Sequence, residues 1–462
     1  MANDPNSLAE RDIKTLIHPF SNLALHQDRG PFILERGKGI YVWDNKGKQY
    51  IEGLAGLWCT ALGFGEETLV EAAAEQLRKL SYYHLFGDKS QGPAIELAER
   101  LMAMAPMPVS KVFFVNSGSE ANDSQIKLIW YYNNAVGRPE KKKIISRIKA
   151  YHGVTLAAGS LTGLPHVHRD FDLPLPRILH TDCPHYYRFA EPGETEEDFA
   201  TRLADNLETL ILKENPDTVA AFIAEPVMGA GGVIVPPRTY FEKVKAVLEK
   251  YEILLIDDEV ICGFGRTGNM FGCQTLGVTP DTVSLAKSLS SGYLPIGAVL
   301  IPDHIYEAML DESRKIGTFA HGFTYSGHPV CAAVALKNLE LMEERSILDH
   351  VREITPRFQK RLKALGDHPL VGEARGIGLI GACELVADKV EKRSFRPDQG
   401  VGAHCALRAQ EHGLIVRALG DTMAVCPPLI IEEAEIDELF DRLTHALNDT
   451  EAWAEKNGLR KP

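Results

Sequence analysis

No apolar run in this chain approaches the roughly 20 residues that a bilayer-spanning helix needs. Nor does the sequence open on a charged-then-apolar leader, because Asp4, Glu10, Arg11 and Asp12 break up its first residues. Paired cysteines are missing: the eight residues, from Cys59 to Cys426, are scattered without one CxxC pair. That gives little support to a metal site or a disulfide framework, and the expected setting is a reduced cytoplasm. Basic charge is in deficit, with 50 Lys and Arg against 63 Asp and Glu and a net charge of −13. Nucleic acid and anionic membranes are therefore poor candidates for a main partner. Internal repeats and low-complexity segments are missing as well.

What is present is the balance of an ordinary globular protein, 45% hydrophobic and 24% charged. At 462 residues the chain exceeds what one core usually holds, so two domains are expected. Ser7 and Glu10 have capping-box spacing, with Leu8, Ile13, Leu16 and Ile17 as the stripe of a short helix behind them. Residues 39–43 and 49–52 read as a hairpin around Asp44, Asn45 and Gly47. Helical stretches at 67–80, 93–104 and 120–132 then alternate with short apolar runs. Those runs, at 112–115, 144–148, 219–224, 253–256, 283–286 and 297–301, have the near-continuous apolar character of buried parallel strands. A helix over 330–344, strands over 377–385 and 414–417, and a closing helix over 434–447 complete the pattern. The reading is a large α/β domain with a smaller α+β domain.

Ligands in such sheets bind beyond the carboxyl ends of the strands, so the residues after each run are where chemistry belongs. The run 253–256 ends in Asp257, Asp258 and Glu259. Carboxylates there either cap or stay solvated, or one of them holds a protonated pyridine nitrogen and makes the ring an electron sink. Lys287 ends the next run; burial favours its neutral amine, which is the form that attacks an aldehyde. After 112–115 come Asn116, Ser117, Gly118, Ser119 and Glu120 at a helix start, an anion cradle compatible with an ordinary capping box. Tyr151, His152 and Gly153 follow the run 144–148, and the Tyr151 ring is placed to stack on a flat cofactor. A nucleophilic amine, a carboxylate and a phosphate cradle are the parts of a pyridoxal-phosphate site.

With these in place, Asp258-Glu259-Val260 followed by Gly263-Phe264-Gly265-Arg266-Thr267-Gly268 resembles the signature of class III aminotransferases. Lys287 lies in Ala286-Lys287-Ser288-Leu289-Ser290-Ser291-Gly292, the form that the lysine motif takes there. The resemblance covers nearly the whole chain. It implies a fold-type I pyridoxal 5'-phosphate enzyme with a mainly parallel seven-stranded sheet flanked by helices. It also implies a homodimer, alone or as a dimer of dimers, with active sites at the subunit interface. Residues 1–75 would join the small domain and the dimer interface, 76–328 would form the large cofactor-binding domain, and 329–462 the small one. Lys287 would take the cofactor's aldehyde and later move a proton between two substrate carbons. Asp258 would pair with the ring nitrogen, with Glu225 beside it. Tyr151 and Val260 would cover the two ring faces, while Ser117, Gly118 and Ser119 bind the phosphate, with His152 and Gly153 adjoining. Phe323 and Thr324 match the segment that reaches the partner's cofactor.

Departures within the class narrow the subgroup. Relatives acting on ornithine or 4-aminobutyrate carry an acid where this chain has Ala230, and an arginine where it has Ala424. Here Arg417 ends the 414–417 strand instead, as in the amine (or ω-amino acid):pyruvate subgroup, where a mobile arginine grips the keto acid. The plain alternative for Arg417 is a surface salt bridge. Leu57, Trp58 and Phe86 stand where that subgroup lines its amine pocket, and Ala230 relieves bulk at one point. The expected reaction is ping-pong transfer from a primary amine to pyruvate. An aminomutase, a decarboxylating transaminase, or a taurine- or β-alanine-specific enzyme would use much of the same set. A dehydrogenase is the rival from another class, because Gly263, Gly265 and Gly268 match GxGxxG; residues 257–262 intervene between strand and glycines, against that reading.

Overall fold

The computed structural model describes residues 7–460. Seven strands form the main sheet, in the order Lys111–Val115, Gly297–Ile301, Thr282–Leu285, Leu254–Asp258, Val219–Ala224, Lys143–Arg147 and Ile178–Thr181. All run parallel except Gly297–Ile301, which is antiparallel to both neighbours. Central strands are apolar because both faces are covered: every position of Val219–Ala224 and of Gly297–Ile301 is buried. Among the covering helices, Gly118–Ala135 lays Ala121, Ile126 and Ile129 inward, together with the polar Asn122 and Gln125. Because six strands share one direction, their carboxyl ends converge on one edge of the sheet.

Two smaller sheets lie outside this one. Leu34–Lys38, Tyr41–Asp44 and Gln49–Glu52 form an antiparallel meander to which Leu414–Ile415 adds in parallel, so the two ends of the chain share a sheet. The other contains Val371–Ile377, Ile380–Leu385, Thr422–Val425 and Arg417–Leu419, all antiparallel.

Four expectations change. The strand expected over 377–385 begins only at Ile380, because Ile377 ends the preceding strand Val371–Ile377 and the two pair as a hairpin that turns at Gly378, φ +56°. The stretch 414–417 breaks at Val416, so Leu414–Ile415 and Arg417–Leu419 belong to different sheets. The last helix, Glu433–Lys456, is longer than the reading. The first helix, Leu8–Thr15, is capped by Ser7 but buries no residue, and Leu16 and Ile17 lie beyond its end.

Candidate active site

A cavity of about 400 Å³ opens at the converging strand ends. On one side the strand Lys111–Val115 passes into the helix Gly118–Ala135. Ser117 caps that helix, its hydroxyl accepting from the Glu120 amide at 3.2 Å, while the Glu120 carboxylate accepts from the Asn116 amide at 2.7 Å. The reciprocal bond goes to Asn116 and not to the cap residue, so the expected capping box is half formed, and the cap coexists with the cradle: Gly118 and Ser119 line the cavity in the first helical turn, where amides have no partner within the helix. The backbones are packed tightly there. A Cβ on Gly118 would sit 3.0 Å from Cγ1 of Val260, and one on Gly153, at φ +131°, would meet Oγ of Ser119 at 2.4 Å.

Asp258, at the end of Leu254–Asp258, is 3% exposed. Its Oδ2 accepts from Nδ2 of Asn122 at 2.7 Å and lies 2.7 Å from Nδ1 of His152; its Oδ1 accepts from the Val260 amide at 3.2 Å. Behind it, Glu225 accepts from the Tyr151 and Gly229 amides, both at 3.0 Å, and burial raises its carboxyl against the pull of His152. The guanidinium of Arg147, fully buried, donates to the Glu225 carbonyl at 2.6 Å. Asp257 and Glu259 flank Asp258 on the far side from the cavity, both raised chiefly by burial. Glu259 accepts from the Gly272 and Cys273 amides at 2.9 and 2.7 Å and so anchors the turns after the strand.

Lys287 follows Thr282–Leu285 with φ +50°, a left-handed conformation that is uncommon outside glycine. That turn brings its amine into the cavity shared with Asp258 and the helix start. Burial lowers its pKa, against the charges of Cys59, Asp258 and Glu225, so a larger share of the amine is neutral and nucleophilic. An amine nucleophile, a buried carboxylate and an anion cradle thus face one cavity. The residues fit pyridoxal 5'-phosphate: Asp258 and its two buried partners for the ring nitrogen, Gly118 and Ser119 for the phosphate, and Lys287 for the aldehyde.

The sequence matches the family model described as Aminotransferase class-III over residues 24–447. The chain belongs to the class III aminotransferases. Members of this class use pyridoxal 5'-phosphate, and this chain is a transaminase that uses it. It is 53% identical to gamma aminobutyrate transaminase 3, chloroplastic, of Solanum lycopersicum over 459 residues, 99% of this chain and 88% of that protein. With gamma-aminobutyrate transaminase 1, mitochondrial, of Oryza sativa subsp. japonica it shares 54% over 449 residues, 96% and 87% of the two chains. Among solved structures, the omega transaminase from Pseudomonas jessenii in complex with PMP superposes with a TM-score of 0.96 at 56% identity, over 97% and 99% of the chains. A thermostable omega transaminase variant, W58M/F86L/R417L, engineered for asymmetric synthesis of enantiopure bulky amines, gives 0.95 at 57%, over 97% and 100%.

For this class III aminotransferase the structure gathers Ser117, Gly118, Ser119, Tyr151, His152, Gly153, Glu225, Asp258, Val260 and Lys287 at the cavity. Other expected residues lie outside it. Trp58 is 2% exposed, in a cluster with Leu54, Ile261 and Ala424. Leu57 and Phe86 are half exposed. Phe86 packs on Gly322 and Tyr82 donates to the Thr324 carbonyl at 2.8 Å, while Phe323 packs against the cluster of Val115, Val299 and Ile301. Ala230 sits in the loop closed by the Met228–Ile234 bridge. Arg417 stands across from Ala424 in the antiparallel register, within electrostatic reach of the Tyr151 phenol. The glycines 263–268 form turns after the strand and open no helix, which removes the dinucleotide fingerprint. Sequence reasoning missed Asn122. Its signal was an amide five residues after a good cap, on the face that the helix buries.

Proposed function

We propose that this enzyme transfers the amino group of a primary amine or ω-amino acid to pyruvate by a ping-pong mechanism at Lys287. Arg417 carries this reading. Burial lowers its pKa, Tyr151 stands beside it, and among the described residues no carboxylate pairs with it. A desolvated guanidinium without an acidic partner at the cavity's edge suits a keto acid's carboxylate. It is not the surface ion pair that its position otherwise allowed.

When bound, the cofactor supplies an electron sink for the bond next to the substrate nitrogen. The chain's own residues do the rest. Asp258, locked by Asn122 and His152, keeps a negative charge fixed where a ring nitrogen needs its proton. The helix start at Gly118 and Ser119 would anchor the phosphate, and Tyr151 and Val260 would cover the ring's two faces. The Lys287 amine holds and then returns the proton that moves between the two carbons.

Two donor chemistries have support. The tomato and rice relatives are named gamma-aminobutyrate transaminases, so the departures at Ala230 and Ala424 leave 4-aminobutyrate a candidate. The engineered neighbour changes W58, F86 and R417 for bulky amines, and this chain has Trp58, Phe86 and Arg417 at the same numbers. That supports the assignment of Trp58, Phe86 and Arg417 to the substrate pocket, which we extend to Leu57 and Ala230. Phe86, Phe323 and Thr324 lie outside this chain's own cavity, which supports a homodimer in which they complete the partner's site. The test is a donor panel with pyruvate (4-aminobutyrate, β-alanine, taurine and 1-phenylethylamine), read as alanine formed. Alanine from at least one is expected. Glutamate formation from 2-oxoglutarate with none from pyruvate would overturn the acceptor assignment.

A further inference from the structure

Glu52 ends the strand Gln49–Glu52 and is 3% exposed, close to the cavity but outside the set that lines it. Its Oε2 accepts from the Leu54 amide at 3.3 Å and from the Gly56 amide. Those amides belong to segment 54–59, whose backbone is unusual: Ala55, Gly56 and Trp58 have φ of +49°, +69° and +65°. A tryptophan in the left-handed region persists only where its surroundings over-determine it. This segment bears directly on the site. Cys59 lines the cavity, and the Trp58 side chain packs with Ile261, which lines it too.

We propose that Glu52 is a positioning residue that pins segment 54–59 and thereby sets the cavity wall met by the amine donor. One carboxylate oxygen gathers two amides of a strained turn, so losing it frees the turn, and Trp58 and Cys59 move with it.

The charges around Glu52 give the pin a pH response. Facing it are Arg266 and the thiols of Cys59 and Cys426. Arg266, 1% exposed, donates through Nη1 to the carbonyls of Leu379 at 3.1 Å and Pro427 at 2.6 Å, and among the described residues its Nε and Nη2 have no partner. Burial pushes the Glu52 carboxyl up to about 7, against the two amides and Arg266. Above that pH its amide bonds are charge-assisted; below it they join neutral groups and weaken.

Hydrogen exchange of the holoenzyme, read by mass spectrometry over 54–59, tests this directly. Glu52→Ala is expected to speed exchange there about tenfold and elsewhere little. Wild type is expected to gain protection of that segment as pH rises through about 7, after correction for intrinsic exchange. Glu52→Gln keeps an acceptor without the charge, so it is expected to hold the segment but lose this pH step. Unchanged exchange over 54–59 in Glu52→Ala overturns the proposal, as does the same pH step in Glu52→Gln; the second result decides even where Glu52→Ala does not fold. A kinetic arm rests on the transaminase reading: Glu52→Ala raises KM for the amine about tenfold with kcat within about threefold, and Glu52→Gln restores most of it. Exchange changing as expected while no donor turns over would fault that reading and leave the pin standing.

Discussion

Nδ1 of His152 lies 2.7 Å from Oδ2 of Asp258, and both side chains are buried. The same oxygen accepts from Asn122 at 2.7 Å, so the carboxylate is fixed from two sides, while Oδ1 accepts from the Val260 amide. Such charge-assisted bonds would orient the group proposed to hold a proton on a ring nitrogen. Asp258→Asn is expected to lower kcat/KM on the order of 100-fold or more with the fold intact. Asn122→Ala, which removes one buried bond to the carboxylate, is expected to cost about 1.5–3 kcal/mol in stability and less in rate. Steady-state kinetics and melting of both variants check this ordering.

Lys287 predicts an unusual stability effect. Burial depresses its pKa, so the folded chain disfavours the charged amine at every pH below the ordinary lysine range. That burden is present at neutral pH and fades as pH rises toward the unfolded value. Apo Lys287→Met should therefore melt a few degrees above wild-type apoenzyme at neutral pH, with the gap closing in alkali. Calorimetry across pH reads both. The same variant should purify colourless and inactive.

The cradle makes a steric prediction. Gly153→Ala would place a Cβ 2.4 Å from Oγ of Ser119 at a φ that side chains rarely adopt. Strain of about 1–3 kcal/mol in the phosphate site is expected to weaken cofactor binding by about 5- to 150-fold. Equilibrium dialysis of the cofactor measures it.

Arg417→Ala is expected to raise KM for pyruvate by about tenfold or more, and that for an amine lacking a carboxylate little. An equal effect on both would remove the gripping role.

Much of this was legible because buried parallel strands are written as apolar runs, and the residues after those runs are where the sheet puts ligands. Lys287, Asp258 and Gly118 were found that way. Ile178–Thr181 escaped because its alternation is broken by His180, on an edge where one neighbour suffices. Leu34–Lys38 escaped because an exposed edge strand has no apolar signature to show. The hairpin at Gly378 and the break at Val416 are changes of direction inside apolar stretches, which periodicity cannot register. Asn122 needed the fold: nothing local says that a helix face will meet a strand end 136 residues later.

The central claim, an amine-to-pyruvate transaminase working through Lys287, is tested most directly by single-turnover spectroscopy of the purified holoenzyme. Adding 4-aminobutyrate or 1-phenylethylamine without an acceptor is predicted to abolish the visible cofactor band, and adding pyruvate to restore it with stoichiometric release of alanine. A band that persists with every amine donor, or that returns with 2-oxoglutarate but never with pyruvate, would contradict the account.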